Sequence, residues 1–407
     1  MILENNILTK MRNSDHSELI IVPGGVADLN TGMIHLGTAL FIQKGCIARI
    51  LTNFHIDQIP PGWEVVSLPE LTILPAFIDC HVHVALDGVD FTAAVERWAD
   101  DNAWLGQVKA ALDHSLDSGL ATIRDGGDNG MIGLRTKKLI EKGELEGPRI
   151  IACGQGIGKV GKYGSFLGPG IANVEEACLL IDALNKQGVD WVKILISGIV
   201  SFKEYGKIGA VQFTQRELNI IIRHAHDLGL PVMAHASSDE AVSLGIKAGV
   251  DTLEHGYFVS AQSLASMAEK GIPWVPTVVP VANQLKVQPS LNHSLESREI
   301  IKRTYELQLK KIEQAQSLGV AIGIGTDAGA GGVVHGFDYF RELELFAQAG
   351  LSPREVLKGA TSTSAQICGL QEEIGSIEVG KKALLIGVRG DPFQDINALQ
   401  NIEFLLY

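Results

Sequence analysis

Eight short apolar runs, spaced by longer amphipathic stretches, limit what this chain can fold into more than any other feature. In order they are "TILPAFID", "LATIRD", "PRIIACG", "DWVKILIS", "LPVMAHA", "VDTLEHG", "IPWVPT" and "VAIGIGTD", lying between Thr72 and Asp327. A continuous apolar run marks a strand buried on both faces, as in a parallel sheet, whereas a strand with one wet face alternates. Between the runs, segments such as "TQRELNIIIRHAHDLG", "SDEAVSLGIKAG" and "RTYELQLKKIEQAQSLG" carry apolar residues at helical spacing. Several close on glycine, which tolerates the left-handed conformation that ends a helix. Strand and helix alternating eight times across residues 74–370 predict a (β/α)8 barrel of the TIM type.

The flanks have a different pattern. "ELIIVPGGVADLNTG", "TALFIQKGCIARILT" and "WEVVSLPELTILP" read as short alternating strands broken by turns, and "EEIGSIEVGKKALLIGVRGDP" returns to that pattern near the end. Residues 1–73 and 371–407 are therefore expected to combine into one small β-sandwich domain beside the barrel.

Charge and cysteine content exclude several functions. A net charge of −13 without a basic run argues against a nucleic-acid partner and against an anionic membrane surface. The start, "MILENNILTKMRNSDH", lacks the basic-then-apolar pattern of a secretory leader, and no apolar run is long enough to span a bilayer. A cytoplasmic protein acting on a small molecule, and assembled as a homo-oligomer, is expected. Five cysteines in scattered positions fit reduced thiols rather than a disulfide framework or a metal site.

Active sites of such barrels sit where strands end and loops begin, so the polar residues closing each run carry the functional signal. Run one ends in His81-Val82-His83, and residues i and i+2 of a strand share a face. On its own this pair reads equally as two rim histidines. Run four holds Lys193 among Trp191, Val192, Ile194 and Leu195. A buried lysine needs a partner or a depressed pKa, and a neutral amine can capture carbon dioxide as a carbamate, an anionic bidentate ligand. Runs five, six and eight end at His235, His255 and Asp327. Taken together these are the nitrogen and oxygen ligand types that suit zinc or another divalent ion.

The stretches "LPAFIDCHVH", "GVDWVKILISG", "PVMAHASSDEAVSLGIKAGVDTLEHG", "GIGTDAG" and the tail from "GLSPREVLKGATSTSAQ" resemble the amidohydrolase superfamily. The likeness is to its imidazolonepropionase-like and Xaa-Pro and Xaa-Arg dipeptidase-like group. It implies that His81, His83 and Asp327 bind one metal ion and that His235 and His255 bind a second. Lys193, carboxylated by carbon dioxide, would bridge two divalent ions, with zinc the leading expectation. It further implies that Asp327 is the catalytic proton carrier.

Deaminases of the superfamily and imidazolonepropionase carry a Glu three residues after the run-five histidine; Ser238 stands there, which favours a binuclear hydrolase. Relatives with "HAH" at run five differ from His235-Ala236-Ser237, so substrate identity does not carry over. Tyr163, Tyr257 and His335 lie on loops that reach the mouth and are candidate substrate contacts. "GIGKVG" spells GxGxxG but lacks the helix a dinucleotide site needs, and Arg124-Asp125 reads as a structural ion pair. His224 and His226 lie mid-helix, where i and i+2 diverge, and are not expected to be ligands.

The expected activity is hydrolysis of an amide C–N bond in a small molecule, a dipeptide or N-acyl amino acid first. A cyclic amide such as a hydantoin or imidazolone is the alternative. A non-catalytic scaffold is the reading from another class, opposed by a lysine kept inside an apolar strand.

Overall fold

The computed structural model describes residues 8–286 and 294–407. Met1 to Ile7, which hold part of the segment read as lacking a secretory leader, lie outside the described residues. The chain is a mixed α/β structure. Strands from both flanks form one sheet, and the apolar runs form parallel strands wrapped by helices.

The flanking sheet has eight strands, drawn from residues between Thr9 and Pro75 and between Leu385 and Leu406. Its alternation sends Leu19, Ile21, Leu40 and Ile42 into one apolar cluster, while Ile20, Ala39 and Phe41 enter another on the opposite face. The strands of both flanks are joined in one hydrogen-bonded sheet. Two long central strands, Glu18–Asp28 and Glu64–Pro75, run parallel to each other within it. Their register shifts between Pro23 and Gly25, where proline lacks the N–H a continuous ladder requires.

Runs one to seven contain parallel strands: Phe77–Val82, Leu120–Asp125, Arg149–Ala152, Val192–Leu195, Val232–Ala236, Thr252–His255 and Trp274–Val275. The first three pair in order as one sheet, and the last four continue a second that begins with Gly156–Ile157. Asp190 N donates to Ala152 O at 2.9 Å, joining run three to run four. Run eight departs from expectation, because it forms isolated bridges rather than a regular strand. It is nonetheless held on both sides: Trp274 N reaches Ala321 O, and Cys80 N and Asp327 N reach Ile324 O and His81 O. Gly325 explains the tight fit there, since a Cβ at that position would run into Val275 and His81.

Two buried side chains fix run eight beside run one. The Asp79 carboxylate accepts from Thr326 Oγ1 at 2.6 Å and from the Thr326 and His81 amides. The amphipathic segments fold as helices where expected. Gln215–Asp227 starts at a Thr214–Glu217 capping box, and its His224 and His226 turn outward to Asp182 and Asp251. Among the described residues, no helix is long and apolar enough to cross a membrane.

Gly325→Ala is expected to destabilise the fold by about 1–3 kcal/mol through overpacking against Val275 and His81. Urea denaturation of the variant against the parent measures it.

Candidate functional site

Six residues at the ends of runs one, four, five, six and eight come together in one buried cluster. His81, His83, Lys193, His235 and His255 are each at most 6% exposed. The Asp327 side chain keeps 16% of its surface, which leaves it reachable from the mouth. His81 Nε2 and His83 Nε2 lie 3.6 and 3.4 Å from Asp327 Oδ1. Lys193 Nζ lies 3.1 Å from His81 Nε2. Imidazole centroids are 5.0 Å apart for His81 and His255, and 4.5 Å apart for His235 and His255.

The hydrogen bonds behind each ring decide which nitrogen faces inward. His81 Nδ1 is 2.7 Å from the Glu254 carboxylate, which only accepts, so Nδ1 carries the proton and Nε2 presents a lone pair. His83 Nδ1 donates to the Gly127 carbonyl at 3.0 Å, with the same result. His255 Nδ1 meets Thr277 Oγ1 at 2.7 Å, and that hydroxyl spends its hydrogen on the Pro276 carbonyl, so it accepts from the ring. His235 reverses the pattern. Its Nε2 donates to the Gly198 carbonyl at 3.3 Å and leaves Nδ1 unprotonated.

Protonation supports the same arrangement. Burial, then the neighbouring Lys193 charge, pushes His83 and His235 down to about 3, and burial holds His81 and His255 well below the ordinary imidazole value. Burial lowers Lys193 as well and raises Asp327 to about 7. Neutral imidazoles are what a cation requires of its ligands, and the lowered Lys193 is easier to deprotonate than an exposed lysine. His81, His83 and Asp327 offer ligand atoms all within 4.8 Å of one another. The donor set therefore fits divalent ions.

Backbone strain concentrates at the same place. His255, Thr277 and Asp327 adopt φ of 70°, 51° and 56°, a left-handed region that non-glycine residues enter at a cost. Each turns the chain sharply at the end of its run, aiming the side chain back over the strand ends.

The loop candidates separate. The Tyr163 ring lies 5.3 Å from His235, and Tyr257 stacks on His255 at 5.8 Å with its hydroxyl engaged by Thr277. His335 is buried, and its Nε2 donates to the Leu86 carbonyl at 2.9 Å, which ties it to the loop after run one. Arg124 does not pair with Asp125. Its guanidinium bonds Glu254 at 3.0 Å, while the Asp125 carboxylate accepts the amides of Val84 and Gly127. Glu254 and Thr277 were missed by sequence reasoning. For Glu254 a signal existed, a carboxylate inside the apolar run "VDTLEHG", which raises the same question as Lys193.

A cavity of about 780 Å³ lies at the opposite, N-terminal ends of the strands, around Trp191, Pro231 and Pro273. Of the charges lining it, Lys137 pairs with Asp190, and Arg149 pairs with Glu373 outside it.

The amidohydrolase family profile matches residues 72–406. This chain belongs to the amidohydrolase family. Among curated relatives, ochratoxinase of Aspergillus niger is 26% identical over 95% of this chain and 85% of its own length. Imidazolonepropionase of Legionella pneumophila is 24% identical over 88% of this chain and 89% of its own length. Among solved structures, a Xaa-Pro dipeptidase with methionine bound in its active site is 26% identical. It covers 95% of this chain and 97% of its own, with a TM-score of 0.82. The protein is accordingly a hydrolytic enzyme acting on carbon–nitrogen bonds.

Thr277→Val keeps the shape of the side chain but strips the acceptor from His255 Nδ1. It is expected to cost about 1–3 kcal/mol for the buried N–H left unpaired, measured by chemical denaturation of the metal-free protein.

Proposed function

We propose that the amidohydrolase is a binuclear metal-dependent enzyme cleaving the amide bond of a dipeptide or N-acyl amino acid. In this reading the eight runs close into a (β/α)8 barrel whose strand ends carry the site. The observation that carries it is the set of four histidines whose proton-bearing nitrogens are all engaged outward, leaving four lone pairs beside Lys193 and Asp327. His81, His83 and Asp327 would hold one ion, and His235 and His255 the other. Zinc is the leading candidate on ligand type. Such ions, when bound, supply acidification of water and polarisation of a carbonyl.

The lysine supports a bridging role. Its buried amine, depressed in pKa, can add to the carbon of carbon dioxide, forming an N–C bond and releasing a proton to give an anionic carbamate. That anion would balance two cations in a site where the lysine itself, if charged, would repel them.

Asp327 is assigned the proton transfer. Its carboxylate, at the lip of the cluster, would take a proton from attacking water and give it back to the leaving nitrogen. Tyr163 and Tyr257 flank His235 and His255 and would bound the substrate on that side. The likeness to a Xaa-Pro dipeptidase supports the dipeptide class. The likeness to imidazolonepropionase supports a second reading, a cyclic amide.

Purified enzyme is expected to contain about two divalent ions per chain by elemental analysis, and a metal-free enzyme that still turns over substrate would refute the reading. Lys193→Ala should lose one ion and at least about 100-fold in kcat/KM, an amount typical of a lost site component. Asp327→Asn should retain the fold and lose about 100-fold or more in kcat, as expected for removal of a general acid–base. A dipeptide panel assayed beside hydantoins and lactams separates the two substrate classes.

A further inference from the structure

Below the candidate site, inside the same ring of strands, lies a second layer of charge that neither the family likeness nor the proposed mechanism uses. Its centre is Glu254, which has no exposed side-chain surface. One carboxylate oxygen, Oε2, lies 2.7 Å from His81 Nδ1. The other, Oε1, accepts from Arg124 Nη2 at 3.0 Å and from Thr252 Oγ1 at 2.5 Å. Arg124, also without exposed surface, donates as well to the Cys80 carbonyl at 2.7 Å and to Thr252 at 3.2 Å. Its guanidinium stacks over Trp191 at 4.8 Å, so the cation is covered on one face as well as bonded at its edge.

A buried ion pair of this kind is a poor way to gain stability, because desolvating two charges offsets most of their attraction, and apolar residues of similar volume often do as well. Its placement points to another use. Glu254 belongs to run six, Arg124 to run two and His81 to run one, and the Cys80 carbonyl that Arg124 holds is the peptide group immediately before His81. The pair therefore grips His81 twice, at the ring through Glu254 and at the backbone through Arg124.

We propose that Arg124 and Glu254 are positioning residues for His81. They fix its ring as the Nδ1–H tautomer, aim Nε2 at the ion shared with His83 and Asp327, and raise its affinity through the carboxylate behind the ring. This rests on the reading of His81 as a metal ligand. A carboxylate behind a ligating imidazole raises its basicity and sets its orientation, and losing such a partner typically costs 10–100-fold in metal affinity. Glu254 is not itself a ligand in this arrangement, since both of its oxygens are engaged by side chains that a cation would have to displace.

Replacing one partner alone leaves a buried charge unpaired, which confuses unfolding with loss of positioning. The test therefore uses the double variant Arg124→Met/Glu254→Leu, which removes both charges at similar volume, and Glu254→Asp, which keeps the pair but shortens the carboxylate away from His81. Two readouts are taken on protein stripped of metal and then titrated with zinc ions: the zinc dissociation constant against a competing chelator, and the His81 tautomer by imidazole nitrogen NMR.

In the parent, the His81 tautomer is expected to be Nδ1–H. In both variants a tautomer mixture is expected, with zinc bound about 10–100-fold more weakly at the first site. An unchanged dissociation constant with an unchanged tautomer in a folded variant overturns the proposal. If the double variant does not fold, Glu254→Asp decides alone. A parent enzyme that takes up no zinc, cobalt or manganese would overturn the metal reading itself. The His81 tautomer would still report whether Glu254 orients the ring.

Discussion

The desolvation of ionisable groups is the constraint on which the rest of this structure depends. One lysine, four histidines and several carboxylates are packed where water does not reach, and each would be costly there as an isolated charge. Two solutions operate side by side. In the upper layer the imidazoles become neutral, far below their ordinary pKa, and burial lowers Lys193 as well. In the lower layer the groups pair, Arg124 with Glu254. The boundary between the layers is His81, whose two ring nitrogens face one layer each.

That division explains which parts of the site were legible in the sequence. His81, His83, Lys193, His235, His255 and Asp327 each end or interrupt an apolar run, so a linear pattern of hydrophobicity exposes them. Glu254 obeys the same rule and was passed over because it stands beside His255, whose ligand reading already accounted for a polar residue there. Arg124 was seen, but its partner was sought in the adjacent residue. Neighbours on a strand point to opposite faces, so Asp125 could never meet it, and the pairing had to come from another run. Thr277 gave no signal at all, since a threonine in a turn is unremarkable until the ring it supports is located in space. The bond from His335 to the Leu86 carbonyl likewise has no trace in the sequence, because it joins two loops far apart in the chain.

The fold was legible to a similar depth. Alternating runs give the order of strands and helices directly, but they do not encode where a ladder becomes irregular. Run eight is continuous and apolar in sequence, yet it meets run seven by one isolated bridge, Trp274 with Ile322, and run one by another just past Asp327, Val82 with Ala328. The irregularity serves the site. An ideal strand would carry residue 327 onward along the sheet, whereas the turn at φ 56° folds the carboxylate back to within 3.6 Å of both His81 and His83. Strain at His255 and Thr277 acts alike at runs six and seven, so three consecutive run ends store conformational cost where a rigid constellation is needed.

The glycine-rich stretch "GIGKVGKYGSFLGPG" follows the same logic from the other direction. Its spelling suggests a phosphate loop, but its glycines answer to packing. A Cβ on Gly168 would strike the Gly156 carbonyl, and one on Gly164 would strike Leu195 of run four. The loop must therefore lie close against the strand ends, and Gln212 holds it there by accepting from the Lys159 amide at 2.8 Å and donating to the Tyr163 carbonyl at 3.0 Å. Only with that backbone pressed down can the Tyr163 ring reach His235. A side chain at either glycine would lift the loop, and with it the aromatic wall beside the second half of the site. The glycines thus act on the chemistry through the position of Tyr163, one and five residues before them in the chain, not through any ligand they touch themselves.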